Sequence, residues 1–558
     1  MVKRIFSFLN KEVKGLHEAA YLLAFFALFS QVLALVRDRL LAGNFGASQT
    51  LDIYYAAFRI PDFIFISVAS LVSVAVLVPF LIERMNKGEK EGKDFVDTMF
   101  SFFFLLIIFV SVVAYFLIPL LAGLIFDGFH GEVLEQIITL SRVMLLSPIF
   151  LGLSNFLASI TQAHKRFFVY AASPVLYNIG IIIGVVFFYP VFGINGLAIG
   201  VVLGSVLHLL IQVPFVIEKK MFPKFNLVFD FRSVRDVVLI SFPRTIALSL
   251  DHIATIVLTS LASFMTVGSI SVFNFAFNLQ SVPLSIIGVS YSTALFPTLS
   301  RHFTEGNKQR YMDVMKTALK HIIFWSIPVT VLFVVLRAQI VRTILGSGNF
   351  SWANTRLTAA VLALFVISAV AQSLTLLFVR AYYAGGNTRK PLIINFFFSF
   401  MIVLFAYVFT KIFYFFPEFR YFIESLFKVS GVVGTEVLML SLGYTCSEFL
   451  NTAALWIAFE KDFKGFSKGV LNMTFQIFSA SVLMGFVAYS FLNIFNNIFD
   501  INTLLGIFLQ GFCSGIIGIA FGVFVLKLLK NKEIEEVWGT LHRKIWKTGV
   551  IVPEQESL

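Results

Sequence analysis

Apolar residues run through this chain in blocks of roughly 20, each long enough to cross about 30 Å of hydrocarbon as a helix. Short polar and basic clusters separate them. By length and apolarity the pattern predicts about 14 spans. They lie near residues 18–42, 53–83, 97–122, 137–162, 169–190, 194–217, 237–264, 271–299, 314–336, 357–383, 391–416, 433–459, 470–493 and 502–529. The implied fold class is an all-α polytopic membrane protein.

The polar gaps alternate in character. Arg84, Lys87, Lys90 and Lys93 follow the second span, Lys165 and Arg166 the fourth, and Lys219, Lys220 and Lys224 the sixth. Arg301 with Lys308, Arg389 with Lys390, and Lys461 with Lys464 continue the series. Intervening loops such as Gly43–Thr50 and Gly123–Glu135 carry no Lys or Arg. By the positive-inside rule both termini are cytoplasmic. Arg337 and Arg342, and Lys411, Arg420 and Lys428, are the two outer-side exceptions.

The pattern also repeats. Pro174 and Asn178 recur as Pro391 and Asn395, and Pro79 with Gly88 as Pro297 with Gly306. The offset is roughly 220 residues, the length of six spans, so both copies share one orientation. The expected organisation is an amphipathic N-terminus at 1–17 and a six-helix lobe at 18–218. A cytoplasmic linker at 219–236 leads to a second six-helix lobe at 237–460. A lipid-facing helix pair at 461–530 and a cytoplasmic tail at 531–558 complete the chain, with a cleft between the parallel lobes.

Composition narrows the function. The 558 residues are 58% hydrophobic and 13% charged, with 69 Phe and a mean hydropathy of +0.89. The net charge of +12 sits in topology-setting loops, which argues against nucleic-acid binding. Cys446 and Cys513 both lie in apolar runs, so neither a disulfide framework nor a zinc site is expected. No phosphate-cradling Gly-rich loop ends in Lys-Ser/Thr and no nucleophilic triad is grouped, so no enzyme, ATPase or cofactor site is expected.

Charge inside the oily blocks is the chemical signal. Arg37, Asp38 and Arg39 close the first run; Asp52 opens the second, and Arg59 lies within it. Intramembrane charges are costly and mark functional sites by default. Arg37 and Arg59 suit an anionic ligand, since a guanidinium stays charged and can donate two hydrogen bonds to phosphate oxygens. The alternative is structural: Arg37 pairs with Asp38 or Asp52, and Arg59 with Asp62. Asp38 and Asp52 either steer the arginines, carry protons, or serve only as partners. Arg39 is placed to snorkel, Arg142 to anchor at an interface, and His252 to pack beside Asp251. Arg244 and Asp251, seven residues apart, share a face.

The runs Ser30-Gln31 to Arg37-Asp38, Phe45-Gly46-Ala47, Asp52, and Ala57-Phe58-Arg59-Ile60-Pro61 resemble the first two helices of the MurJ/MviN family. These are lipid II flippases of the multidrug/oligosaccharidyl-lipid/polysaccharide exporter superfamily. The resemblance continues through Arg166, Ser173-Pro174, Pro297 and Gly306 to Pro391. It implies transport of an undecaprenyl-diphosphate-linked peptidoglycan precursor from the inner to the outer leaflet by alternating access. It also implies that cationic residues of the cleft engage the diphosphate. By motif Arg37, Asp38, Asp52 and Arg59 match family positions. Gln31 stands where an Arg is common, Phe65-Ile66 where a basic pair is usual, and Asn278 where an important Arg lies. Arg244 is the nearest suspect for supplying the charge missing at Asn278. The expected partners are the lipid-linked glycan and membrane lipids, with the chain a monomer that is coupled, if at all, to membrane potential or a cation. Competing functions are a flippase for another polyprenyl-diphosphate glycan of O-antigen or capsule type, a cation-coupled drug antiporter, and a membrane glycosyltransferase using Asp127, Glu132 and Glu135.

Overall fold

The computed structural model describes residues 16–71, 74–226 and 230–535. The expected N-terminal amphipathic segment up to residue 15, and the tail beyond 535, lie outside these residues. The described chain is helical throughout, with no strand among the described residues. The first half runs α1 Leu16–Phe45, α2 Gln49–Ala69, α3 Val74–Lys87, α4 Glu89–Ile125, α5 Glu132–Met144, α6 Leu146–Ala163, α7 Phe167–Ile183 and α8 Ile194–Leu210. The second half runs α9 Phe231–Ser263, α10 Ser269–Leu284, α11 Ser290–Thr304, α12 Lys308–Val335, α13 Arg337–Leu345, α14 Trp352–Ala384, α15 Arg389–Phe415, α16 Pro417–Leu426 and α17 Leu438–Asp462. Two more helices, α18 Val470–Phe495 and α19 Leu504–Leu528, follow.

The repeat appears in the order of elements. Helix starts at Gln49, Glu89, Glu132 and Phe167 recur at Ser269, Lys308, Trp352 and Arg389, each time about 220 residues on. The second copy departs from the first by inserting α16 before its last helix.

Ten described helices or helix pairs are long and apolar enough to cross a membrane; fourteen crossings are not established by that measure. The other expected spans are helical too and fall on α1, α2–α3, α9 and α17. These four contain the intramembrane charges: Arg37 to Arg39, Asp52 to Asp62, Asp251, and Glu448.

The described residues form two compact units. One comprises the chain up to Leu279 with Ile344–Phe365 and Thr388–Glu448; the other comprises Gln280–Thr343, Val366–Asn387 and the chain from Phe449. In the first unit, Phe95, Phe103, Ile107, Phe156 and Ile160 of α4 and α6, with Phe215 from the segment after α8, build an apolar core. Bilayer helices gain little by hiding oily surface from oily lipid, so small residues that admit close backbones matter more. α7 and α8 meet along such a face. A Cβ on Gly180 would lie 2.2 Å from the Cα of Gly204, and one on Gly184 would lie 2.6 Å from the Cα of Gly200. In the second unit α18 packs on α19 and on α12, while Tyr311 donates its hydroxyl to the Ala381 carbonyl at 2.8 Å.

Candidate functional site

The charge cluster is assembled in the first unit, where α1, α2, α7 and α10 converge. α1 ends because Gly46 takes a left-handed φ of 65°, and a Cβ there would strike the Asn349 carbonyl oxygen at 2.7 Å. The chain then turns through extended Ser48 into α2. Asp52, in the first turn of α2, is 2% exposed. Its carboxylate accepts the Gly268 N–H (2.5 Å), the Ser271 N–H (2.8 Å) and the Ser271 hydroxyl (2.6 Å). It therefore caps the start of α10, where unpaired N–H groups and the helix dipole both favour an anion. Among the described residues no arginine pairs with it.

Arg37 donates through Nε and Nη2 to Asp38 Oδ1 at 3.0 and 2.8 Å, and through Nη1 to Asn178 Oδ1 at 3.2 Å. Asn178 is the motif residue of α7, and it also donates to the Ser30 hydroxyl at 3.2 Å. The second oxygen of Asp38 accepts from Asn278 Nδ2 at 3.0 Å. Asp38 thus joins Arg37 to α10. Arg39 donates through Nη1 to the Ile344 carbonyl at 3.1 Å.

Arg59 is held differently. Its Nη2 donates to Asn274 Oδ1 at 2.6 Å, and Asn274 in turn donates to the Ile270 carbonyl. The buried Nε of Arg59 has no hydrogen-bond partner. Asp62, one turn along α2, is close enough for electrostatic attraction but forms no ion pair with Arg59 among the described residues. Tyr55, one turn before Arg59, also has a buried hydroxyl without a partner. It lies within electrostatic reach of Arg37, Asp38 and Arg59. Tyr55, Arg59 and Asp62 fall on one face of α2 at helical spacing.

Other expected residues fall elsewhere. Asn278 makes the interhelical bond just described. Arg244 lies on α9, but its side chain is outside the described ones. Asp251 accepts from the Ser399 hydroxyl at 3.3 Å and lies within electrostatic reach of Glu448. His252 lies within reach of Arg59. Arg142 stacks 4.6 Å over the Tyr115 ring, an arrangement suited to an interfacial anchor. Among the described residues no His, Cys, Asp and Glu are grouped to hold a metal.

A half-buried guanidinium held by a neutral amide keeps most of its five donors free. That is an arrangement for an anion with several oxygens. The sequence model of the family described as "Lipid II flippase MurJ" matches residues 41–510. The chain belongs to the lipid II flippase MurJ family. It is 28% identical over 375 residues to the lipid II flippase MurJ of Burkholderia cenocepacia, covering 66% of this chain and 73% of that one. A probable lipid II flippase MurJ of Thermotoga maritima is 26% identical over 519 residues, covering 91% and 96%. Among solved structures, a lipid II flippase MurJ in an inward closed conformation superposes with a TM-score of 0.70 at 22% identity, covering 94% of this chain and 100% of that one. An inward-facing multidrug MATE transporter of the MOP superfamily gives 0.63 at 17%, covering 79% and 96%. These two matches speak for the fold alone. Family membership and ten helices or helix pairs long and apolar enough to cross a membrane make this a multi-pass membrane protein.

Sequence reasoning singled out Arg37, Arg59, Asp38 and Asp52 but missed Asn274 and Tyr55. Both carried a signal. Asn274 precedes Asn278 by one turn in an apolar helix, and Tyr55 precedes Arg59 by one turn.

Proposed function

We propose that this chain moves lipid II, an undecaprenyl-diphosphate-linked peptidoglycan precursor, from the inner to the outer leaflet by alternating access. The observation that carries the reading is Arg59: a guanidinium with a buried Nε without a partner, held by Asn274 in place of a carboxylate. Family membership supplies the substrate class. Arg59 and Arg37 receive the diphosphate, while Asp38 and Asn178 hold Arg37 in position. Asp52 fixes α10 and does not touch substrate. Lipid II and membrane lipids are the partners. The chain acts as a monomeric transporter without enzymatic activity in the bacterial inner membrane, both termini cytoplasmic, coupled to membrane potential or a cation.

A flippase for another polyprenyl-diphosphate glycan is the second reading. It is favoured by Asn278, which stands where the family commonly has Arg and here is engaged with Asp38. Complementation of a flippase-depleted bacterium tests the first reading. Growth restored by wild type but not by Arg59→Ala, at equal membrane abundance, is the expected result. Failure of wild type to complement, together with binding of a different polyprenyl-diphosphate glycan, selects the second.

A further inference from the structure

α15 is an apolar span whose most hydrophobic window is only 17% buried within the protein. One face of it carries Phe397, Phe400, Leu404, Tyr407 and Tyr414. With Lys411 between Tyr407 and Tyr414, they are three or four residues apart and so form one stripe. Lys411 lies in the same stripe with its ammonium 5.4 Å from the centre of the Tyr407 ring, a long side chain laid along an apolar face. The stripe does not stop where the helix does. Phe415 is 74% exposed and Phe416 58%. Phe416 then leaves the helical conformation, and Pro417 starts α16.

α16 has ten residues, about 15 Å, too short to cross a bilayer. Its apolar side is divided. Ile423 is buried against the protein, whereas Phe422 and Leu426, one turn apart, are 62% and 57% exposed. Glu418, one turn before Phe422, and Ser425 form the polar edge beside that exposed pair. The inner side is firmly seated. Glu424 accepts from Arg420 Nε at 2.8 Å and from the Thr435 hydroxyl at 2.7 Å, and the Arg420 guanidinium lies 5.5 Å from the Phe413 ring centre. Arg356 donates to the Lys428 carbonyl at 2.6 Å and tethers the segment that follows. Arg420, half exposed, is thus paired with buried Glu424. What faces outward is chiefly aromatic and aliphatic.

We propose that α16, with the Phe415–Phe416 turn, is an interfacial foot that seats Phe415, Phe416, Phe422 and Leu426 in the headgroup layer of the leaflet at this end of α15. Three facts point to lipid as the occupant. The patch continues the exposed stripe of a span; aromatic rings favour the membrane–water boundary; and the helix is amphipathic with one polar edge. Because Arg420 is paired with Glu424, attachment is apolar and does not depend on anionic lipid. The foot also accounts for two of the outer-side basic residues: Arg420 is spent on its ion pair with Glu424 and Lys411 lies along the stripe.

The test uses full-length protein with Cys446→Ser and Cys513→Ser, reconstituted in phosphatidylcholine nanodiscs. Single spin labels are placed by Phe422→Cys and Leu426→Cys, with Glu305→Cys and Lys308→Cys, exposed where α11 passes into α12, as water-facing controls. Labels at 422 and 426 are expected to be reached by oxygen and shielded from a water-soluble nickel chelate, with the reverse at 305 and 308. The contrast should persist in high salt and should not need phosphatidylglycerol. Should exchange of the native cysteines impair folding, Phe422→Trp with brominated lipid gives the same reading by fluorescence quenching. Nickel access at all four sites overturns the proposal, because the foot is then in water. Shielding of 422 and 426 from both reagents also overturns it, and points to a protein surface over the patch. Contrast appearing only with anionic lipid overturns the apolar basis of attachment.

Discussion

Replacing Asp52 by Ala separates a structural carboxylate from one that handles substrate or protons. The substitution removes the acceptor of two backbone N–H groups, those of Gly268 and Ser271, and of the Ser271 hydroxyl. The hydroxyl can turn toward the Ser48 carbonyl, already 3.4 Å away; the N–H groups cannot turn. Leaving a buried donor unpaired costs about 1–3 kcal/mol, and losing an anion from a helix start adds about 0.3–1 kcal/mol. After partial relaxation the expected loss is about 2–4 kcal/mol. Asp52→Asn keeps one oxygen for Ser271 but sets an NH2 against the Gly268 N–H, so about half that loss is expected. In thermal unfolding of purified protein, Ala should lower Tm by about 2–3 °C and Asn by less. Ser271→Ala should cost little more in the Asp52→Ala background than it saves, with a coupling of at least about 1 kcal/mol in the double-mutant cycle. Wild-type stability for Asp52→Ala, or strict additivity with Ser271→Ala, refutes the capping role. Unchanged Tm with abolished transport would assign Asp52 to the transport chemistry.

Arg59→Lys should retain a minor part of transport and Arg59→Ala none, since one charge-assisted contact is worth about 1.5–3 kcal/mol and Lys lacks the planar fork; lipid II binding by native mass spectrometry checks this, and equal binding by Ala and wild type sinks it. Gly184→Val should force α7 from α8, because even a Cβ would meet Gly200 at 2.6 Å; overpacking of this kind costs about 1–3 kcal/mol, read as lower Tm with reduced membrane abundance. Asn278→Arg should be tolerated and should lessen the binding defect of Arg244→Ala; an Arg244→Ala variant that binds lipid II like wild type removes the idea of compensation. Reporter fusions after Gly128 and after Lys90 should report opposite sides of the membrane, and signals from the same side would overturn the loop-charge topology.

The helices and their repeated order were legible from the sequence because both rest on local spacing and length. Arg37, Asp38, Asp52 and Arg59 stood out because charge in an apolar block is conspicuous. Their partners did not. Arg37 meets Asn178 from α7 and Arg59 meets Asn274 from α10, pairings set by which helices dock. Spacing along one helix says which residues share a face and nothing about what faces them. The nearest opposite charge is accordingly a poor guide: Asp62 lies one turn from Arg59, yet the amide of a distant helix holds it. Asp52 shows the same effect, since its partners are backbone N–H groups, which carry no residue-type signal at all.

The three polar links to α10 have a consequence for how that helix can move. Asp52 grips its first turn at Gly268 and Ser271, Arg59 its next at Asn274, and Asp38 the one after at Asn278. Within α10 these contacts occupy an arc of about 60°. A twist of α10 by one residue, about 100°, would carry every one of them out of register together. Sliding by a full turn would pair each group with the wrong neighbour. The helix is therefore indexed against α1 and α2: it either stays in register or comes away as a unit, with no stable halfway position.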